Sequence, residues 1–276
     1  RHLKKLDPRP RVVLVPGMGL FGLANNVSEA KIAADIAEST VETITAAESI
    51  GTFESVSEAD LFDVEYWSLE QAKLGEFKER SLTGHIVVVT GGGGTIGAAI
   101  ARAFGKEGAA VALLDVNRDA AQSVCSRIDA PCIVLECDVT DKSAVRRAFD
   151  RICEEFGGID IVVSNAGAAW MGMIGVVDEA VLRESFELNF FAHQKVAQNA
   201  IRVMSIQDTG GVLLFNVSKQ AINPGTDFGP YGIPKAATLQ LVRQYALEYG
   251  NQGIRVNAVN ADRVRGGLLT PEIITD

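Results

Sequence analysis

The stretch HIVVVTGGGGTIGAAIARAFGKEGAAVALLD, residues 85–115, contains four pieces in a set order. Residues 86–89 are an apolar strand, and residues 91–97 are a glycine-rich turn. A helix follows with Ile100, Ala103 and Phe104 on one face, and residues 111–114 form a second apolar strand that ends on the carboxylate of Asp115. Such a unit holds a dinucleotide. Gly91, Gly93, Gly94 and Gly97, with Thr95 and Ile96 among them, let the backbone turn tightly and come close to a pyrophosphate. The phosphate charge then sits at the helix N-terminus, where amide N–H groups point outward. An acid roughly 20 residues beyond the turn can accept hydrogen bonds from ribose hydroxyls.

Outward from this unit, strand and helix alternate. A short strand at 133–135 runs to Cys137-Asp138. A helix over 142–156 keeps Val145, Phe149, Ile152 and Phe156 on one face, and Gly157-Gly158 stops it. Strands are expected at 159–163, 211–216 and 254–259, and helices around 179–188, 190–204 and 230–249. The fold class is therefore α/β, a doubly wound parallel sheet with helices on both faces. Thr90, Asp115, Asp138, Asn165, Ser218 and Asn260 all fall just past the C-terminal ends of predicted strands. That edge is where an open parallel sheet binds ligands.

Tyr231 and Lys235, in YGIPK, are four residues apart on a helix and share a face. Pro234 is expected within the first turn, where an amide has no intrahelical acceptor to lose. A free tyrosine titrates near pH ~10, so bringing it toward neutrality needs roughly 3–4 kcal/mol of preference for the phenolate. A partly desolvated ammonium nearby can supply much of that. The phenolate could then take a proton from a substrate hydroxyl while hydride leaves the carbon. Ser218, thirteen residues before Tyr231, is placed to hydrogen-bond the same substrate oxygen. Asn189, at the junction of two helical stretches, could hold a water linking Lys235 to solvent.

Bulk properties narrow the classes further. A chain of 276 residues, 47% hydrophobic, can bury a large core, and its net charge of −9 argues against a nucleic-acid partner. No apolar run is long enough to span a membrane, no signal peptide is visible, and a cytoplasmic location is expected. Cys125, Cys132, Cys137 and Cys153 contain no CxxC pair and are expected as reduced thiols. Three scattered histidines make no metal site.

Residues 81–276 resemble the classical short-chain dehydrogenase/reductase family, a Rossmann-like fold. Thr90 to Gly97, Asp138-Val139, Asn165-Ala166-Gly167, Asn189, Ser218, Tyr231 with Lys235, and Ile254-Arg255-Val256-Asn257 all occur in family order. The resemblance implies that Tyr231 is the acid/base and that Lys235 binds the nicotinamide ribose and lowers the tyrosine pKa. Ser218 would polarise the substrate oxygen, Asn189 would serve a proton relay, and Asp138 would contact the adenine. Asp115 favours NAD over NADP, because a 2′-phosphate beside a carboxylate is repelled. The chain departs from the family pattern at Thr95, where a glycine is usual, and at Ala261-Asp262, where Pro-Gly is usual. It also stops at Asp276, where the family continues into a substrate lid, so the C-terminal end is read as incomplete.

Residues 1–80 are expected to be a separate, mainly helical region. A strand at 11–15 precedes Gly17, Gly19 and Gly22, a second formal G-x-G-x-x-G. It is read as a turn without a nucleotide, because no helix opens on it. Ser28 is the expected N-cap of a helix over 29–49, and residues 58–74 are helical in pieces. DPRPRVVLVPGMGLFG, KIAADIAE and EADLFDVEYWSLEQAKLG resemble the joining segment of bifunctional enzymes that fuse a rhamnulose-1-phosphate-type aldolase to an NAD-dependent dehydrogenase. That likeness implies an aldolase domain upstream, a place in rhamnose metabolism and lactaldehyde as substrate. A sugar or polyol dehydrogenase using the same residues is the alternative enzyme, and a dinucleotide-binding module without turnover is the alternative outside enzymes. A homodimer or homotetramer, paired through the helices carrying Asn189 and Tyr231, is the family expectation.

Overall fold

The computed structural model describes residues 5, 6, 8–69, 80–262 and 264, and the chain divides into two units, Arg1–Thr83 and Gly84–Asp276. In the first unit β1 (Val12–Val15) and β2 (Gly19–Gly22) form an antiparallel hairpin. The second G-x-G-x-x-G thus lies in a hairpin, with Gly17 and Gly19 at positive φ. Gly22 is required by packing: a Cβ there would lie 2.2 Å from the carbonyl oxygen of Ala30. The following helix α1 (Val27–Ile50) starts earlier than expected. Its N-cap is Asn26, whose side chain accepts from Glu29 N, and not Ser28. Helix α2 (Glu58–Glu65) is capped by Ser57, and Phe62 stacks on Tyr66 just beyond it. The part of the expected helical stretch beyond residue 69 lies outside the described residues.

In the second unit the strands are β3 (Ile86–Thr90), β4 (Ala110–Asp115), β5 (Cys132–Glu136), β6 (Ile161–Ser164), β7 (Gly211–Asn216) and β8 (Ile254–Val259). They form one parallel sheet in the order β5-β4-β3-β6-β7-β8. Every residue of β3 is buried, and so are the first five of β4, as expected for Val- and Leu-rich strands covered on both faces. Helices α3 (Thr95–Lys106) and α4 (Arg118–Cys125) carry the chain leftward from β3. Helices α5 (Lys142–Phe156), α6 (Glu179–Phe186), α7 (Ala192–Gln207) and α8 (Gly229–Tyr249) serve the return and the rightward half. Right-handed crossovers running in opposite directions from β3 put these two sets on opposite faces. The order reverses between β3 and β6, which opens a crevice at their C-terminal ends.

Local signals act where the sequence places them. Gly157, at φ 89°, ends α5 in the left-handed conformation. Asp141 caps the start of the same helix through Ser143 N. The expected break near Asn189 is not a gap. Residues Glu187–Phe191 form a π turn that joins α6 to α7 continuously. Pro234 is the sixth residue of α8 and lies past the first turn, so this helix gives up one amide bond there. The expectation of reduced thiols holds for Cys137 and Cys153. It does not hold for Cys125 and Cys132, which form a disulfide between the end of α4 and the start of β5. Among the described residues no helix is long and apolar enough to cross a membrane, and no cluster of His, Cys, Asp and Glu could hold a metal.

Candidate active site

The crevice at the sheet edge is a cleft of about 750 Å³. Its wall includes Gly91, Gly94, Thr95, Ile96, Gly97, Asp115, Asp138, Val139, Asn165, Ala166, Gly167, Ser218, Tyr231 and Lys235, so most of the residues picked out from the sequence meet there. Gly93 and Asn189 are absent from the wall and act just behind it.

The glycine turn is built by close approach. Gly91 has φ 65°, and its amide bonds the carbonyl of Leu114 at 2.8 Å. A Cβ on Gly97 would stand 2.0 Å from Gly91 O, so α3 can begin against the turn only with glycine there. Gly94 is the N-cap of α3, and no side chain caps this end. The first-turn amides of Thr95, Ile96 and Gly97 are thus left for a ligand with negative charge. Thr95, the departure from the usual glycine, is the first residue of the helix and leaves its start regular. At the end of β4 both carboxylate oxygens of Asp115 are anchored: Oδ2 accepts from Gly93 N and Oδ1 from Asn117 N, each at 2.8 Å. Asp138 turns onto Thr140, accepting from its amide and its hydroxyl.

Asn165 is a brace between strands. Its amide bonds Thr90 Oγ1, its Nδ2 donates to Thr90 O, and its Oδ1 accepts from Asn216 Nδ2 at 2.9 Å. Thr90 Oγ1 also accepts from Ala166 N at 3.0 Å. The ends of β3, β6 and β7 are thereby tied into one rigid floor. Nothing in strand periodicity marks Asn216 for this, since its partner lies 51 residues away.

The other end of the cleft carries the polar cluster. Lys235 is 2% exposed and Asn189 fully buried, while Ser218 and Tyr231 are also buried. Lys235 Nζ donates to Asn216 O at 3.0 Å and lies 3.2 Å from His193 Nε2, with the Tyr231 ring centroid 5.8 Å away. Asn189 Nδ2 donates to Ala168 O and Ser185 Oγ, and its backbone carbonyl accepts from Thr238. Its Oδ1, by contrast, is buried without a partner. That oxygen and Lys235 Nζ converge on Gly167, where a Cβ would lie 2.9 Å from one and 3.3 Å from the other. The π turn is what aims Asn189 inward while its helix continues. Beside the cluster, Ala261 O accepts from Lys219 N, and Lys219 Nζ pairs with Asp262, so the second departure forms an ordered loop.

Burial dominates the electrostatics. It lowers the Lys235 ammonium from 10.5 to about 7. It also raises the Tyr231 hydroxyl above the usual tyrosine range, against which a hydrogen bond with Ser218 works. In this state the Tyr231 shift is set by burial and by Ser218, while the Lys235 ammonium is itself desolvated and lies against Asn216 O and His193. His193 is pushed well below 6.5, first by burial and then by the charge of Lys235, so its ring is neutral. Nothing in the motif pattern of the sequence marks His193. Its one visible signal is the spacing of four residues from Asn189, which puts both on one helical face.

Comparison with known proteins agrees with this architecture. Residues 85–271 match the short chain dehydrogenase family model, and residues 1–74 match the second domain of class II aldolases. The uncharacterized oxidoreductase YuxG of Bacillus subtilis (strain 168) is 34% identical over 95% of the chain, which spans 39% of that protein's length. The 7alpha-hydroxysteroid dehydrogenase of Escherichia coli (strain K12) is 32% identical over 70% of the chain and 77% of its own length. A solved 7alpha-hydroxysteroid dehydrogenase, complexed with NADH and 7-oxo glycochenodeoxycholic acid, superposes with a TM-score of 0.62. It is 32% identical and covers 65% of this chain and 71% of its own. With a family model matching most of its length and a sheet, a glycine turn and a polar cluster to go with it, the chain belongs to the short-chain dehydrogenase family.

Proposed function

We propose that this protein is an NAD-dependent oxidoreductase that removes hydride from a small hydroxylated compound or aldehyde hydrate, with lactaldehyde as the favoured substrate. The observation that carries this reading is the single cleft with a charge-seeking glycine turn and Asp115 at one end and Ser218, Tyr231 and Lys235 at the other. Its residues suit a dinucleotide. The uncapped start of α3 suits a pyrophosphate, the anchored carboxylate of Asp115 suits a ribose diol, and the unpartnered Oδ1 of Asn189 suits a water or hydroxyl. Asp138, Val139, Asn165, Ala166 and Gly167 would line the rest, with Tyr231 and Lys235 at the nicotinamide ribose. NAD, when bound, supplies the hydride acceptor.

The chain's own residues handle the proton. Ser218 Oγ would hold the substrate oxygen, and Tyr231, as phenolate, would take that oxygen's proton. Lys235 in its charged form supports the phenolate, and it can pass the proton through the pocket beside Gly167 toward Asn189. The dry surroundings strengthen each of these interactions. The same reading assigns residues 81–276 to the NAD-binding domain and residues 1–80 to the end of a fused aldolase, acting in rhamnose metabolism. The aldolase match over residues 1–74 supports that fusion. Exposed Phe191, Ile206 and Leu247, at or on α7 and α8, support pairing of copies through these helices. The test is NADH formation, followed by absorbance, with L-lactaldehyde and a panel of polyols. Tyr231→Phe should lower turnover by about a hundredfold or more while NAD still binds. Undiminished turnover in Tyr231→Phe overturns the mechanism, and turnover with polyols alone overturns the substrate.

A further inference from the structure

Behind the tyrosine and lysine lies a second row of polar groups that the reaction above does not use. His193 on α7 is 1% exposed and Ser164, at the end of β6, is 3% exposed. Ser164 Oγ lies 2.6 Å from His193 Nδ1, and Lys235 Nζ lies 3.2 Å from His193 Nε2. The Phe215 ring packs 6.0 Å from the imidazole, centroid to centroid. Three elements, β6, α7 and α8, thus meet in one buried row that ends on the lysine.

The chemistry of the donors orders this row. An ammonium has three N–H donors and no acceptor, so a hydrogen bond from charged Lys235 requires a bare Nε2. A neutral ring then carries its proton on Nδ1 and donates it to Ser164 Oγ. Asn216 O takes a second N–H of Lys235, which leaves one to face the cleft near Gly167 and Asn189 Oδ1. A phenylalanine or leucine at 193 would fill the same space in an apolar core. It would leave Nζ with a single fixed acceptor and Ser164 without its ring partner.

We propose that His193 is a positioning residue of this active site, holding the Lys235 ammonium through Nε2 while Ser164 holds the ring from behind. The inference rests on the assignment of Tyr231 and Lys235 as the proton-handling pair. The groups that face Lys235 are Tyr231 from its own helix, His193 from α7, Asn216 O from β7 and Asn189 from the π turn. Those that face His193 are Lys235, Ser164 from β6 and the Phe215 ring from β7. None of these residues is a carboxylate, so among the described residues the lone pair of His193 is, with Asn216 O, one of two acceptors in contact with Lys235 Nζ that favour the charged lysine.

The consequence for catalysis follows from counting protons. The productive pair is phenolate with ammonium. Its competitor, with the same total of protons, is phenol with neutral amine. Loss of the His193 acceptor destabilises the ammonium, so the productive pair is populated less. The lysine also gives up its proton at lower pH.

Two measurements test this. In the unliganded full-length protein, with histidine labelled by ¹⁵N, the buried ring should be neutral with its proton on Nδ1 at pH 6; a proton on Nε2 there overturns the proposal, whether or not any substrate turns over. In the active enzyme, His193→Phe should lower kcat by about tenfold and move the acidic limb of its pH profile to lower pH by about one unit, the loss of one hydrogen bond to a charged group. KM should change by less than about twofold, because His193 does not reach the cleft. His193→Gln, which keeps an acceptor for Nζ, should recover most of the rate and the limb. A lowered melting temperature with an unmoved limb in both variants would make His193 a mere core residue and overturn the proposal. Absence of turnover with every substrate, together with the Nδ1–H ring, would sink the oxidoreductase reading and leave the positioning contact supported.

Discussion

Lys235 holds a charge where little water reaches it, and replacing it should abolish a pH-dependent loss of stability while ending the proposed chemistry. The unfolded chain binds the lysine proton below pH 10.5, whereas the folded chain binds it only below about 7. Between those values protons favour the unfolded state, so the wild type loses stability as pH falls through this window and the loss is complete below it. Lys235→Met keeps the length of the side chain and removes the titration. Each unit is worth about 1.4 kcal/mol, so the stability of the variant relative to wild type should rise by about 2.7 kcal/mol from pH 9 to pH 6, most of it above pH 7. A constant offset accompanies this, because Asn216 O and His193 Nε2 lose their partner at about 1–3 kcal/mol each. The slope with pH isolates the buried charge from that offset. Urea unfolding followed by Trp170 fluorescence, in a Trp67→Phe background, reports on the six-stranded unit alone, since the chain has two tryptophans. A stability difference that stays flat from pH 9 to pH 6 would refute the reasoning.

Three other substitutions probe the walls of the cleft. Thr90→Val removes the oxygen that accepts from Asn165 N and Ala166 N, and should destabilise the sheet unit by about 2 kcal/mol or more, read by the same unfolding curves. Asp115→Asn keeps an acceptor for a backbone amide but loses the negative charge, and should cut the preference for NAD over NADP by about tenfold, read from kcat/KM with each cofactor. Ser218→Ala removes the hydrogen bond that works against burial at Tyr231, so the tyrosine should titrate higher still, measured by NMR of ¹³C-labelled tyrosine in the unliganded protein.

Much of the sheet was legible because its strands are covered on both faces and read as unbroken apolar runs, each closed by a polar residue. The run from Ile86 to Asp115 shows this best: Val87, Val88 and Val89 are buried as their pattern implies, and Asp115 stands at the strand end. What stayed hidden was set by distance along the chain. His193 reads as an ordinary helical residue until β6 brings Ser164, 29 residues away, against one nitrogen and α8 brings Lys235 against the other. Asn216 likewise gains its meaning only beside Asn165. Cys125 and Cys132 meet because β5 returns alongside β4 immediately after α4, a pairing that spacing alone does not disclose. At the N-terminus the expected cap Ser28 gives way to Asn26, whose side chain accepts from Glu29 N and starts α1 at Val27. The sheet edge was thus readable from local pattern, and the row behind the lysine was not.

The directions of the two shifts at the centre of the site bear on how it works. In water a tyrosine and a lysine titrate at nearly the same pH. Here burial raises Tyr231 and lowers Lys235, so the lysine gives up its proton first. Above about pH 7 the resting pair is therefore a phenol beside a neutral amine, and the pair that the proposed mechanism uses, phenolate with ammonium, differs from it only by one proton moved between them. Because the net charge of the pair is the same in both forms, it is the fixed hydrogen bonds at its two ends that select one. Ser218 works at the phenol, and Asn216 O and His193 Nε2 work at the amine. Each stabilises the separated charges at its own end, and each comes from a rigid part of the scaffold: a strand end, the turn after it, or a helix. Desolvation alone would leave this tyrosine a poor base. In the proposed mechanism, the hydrogen bonds that accompany desolvation are what turn a buried, neutral pair into one that can take a proton.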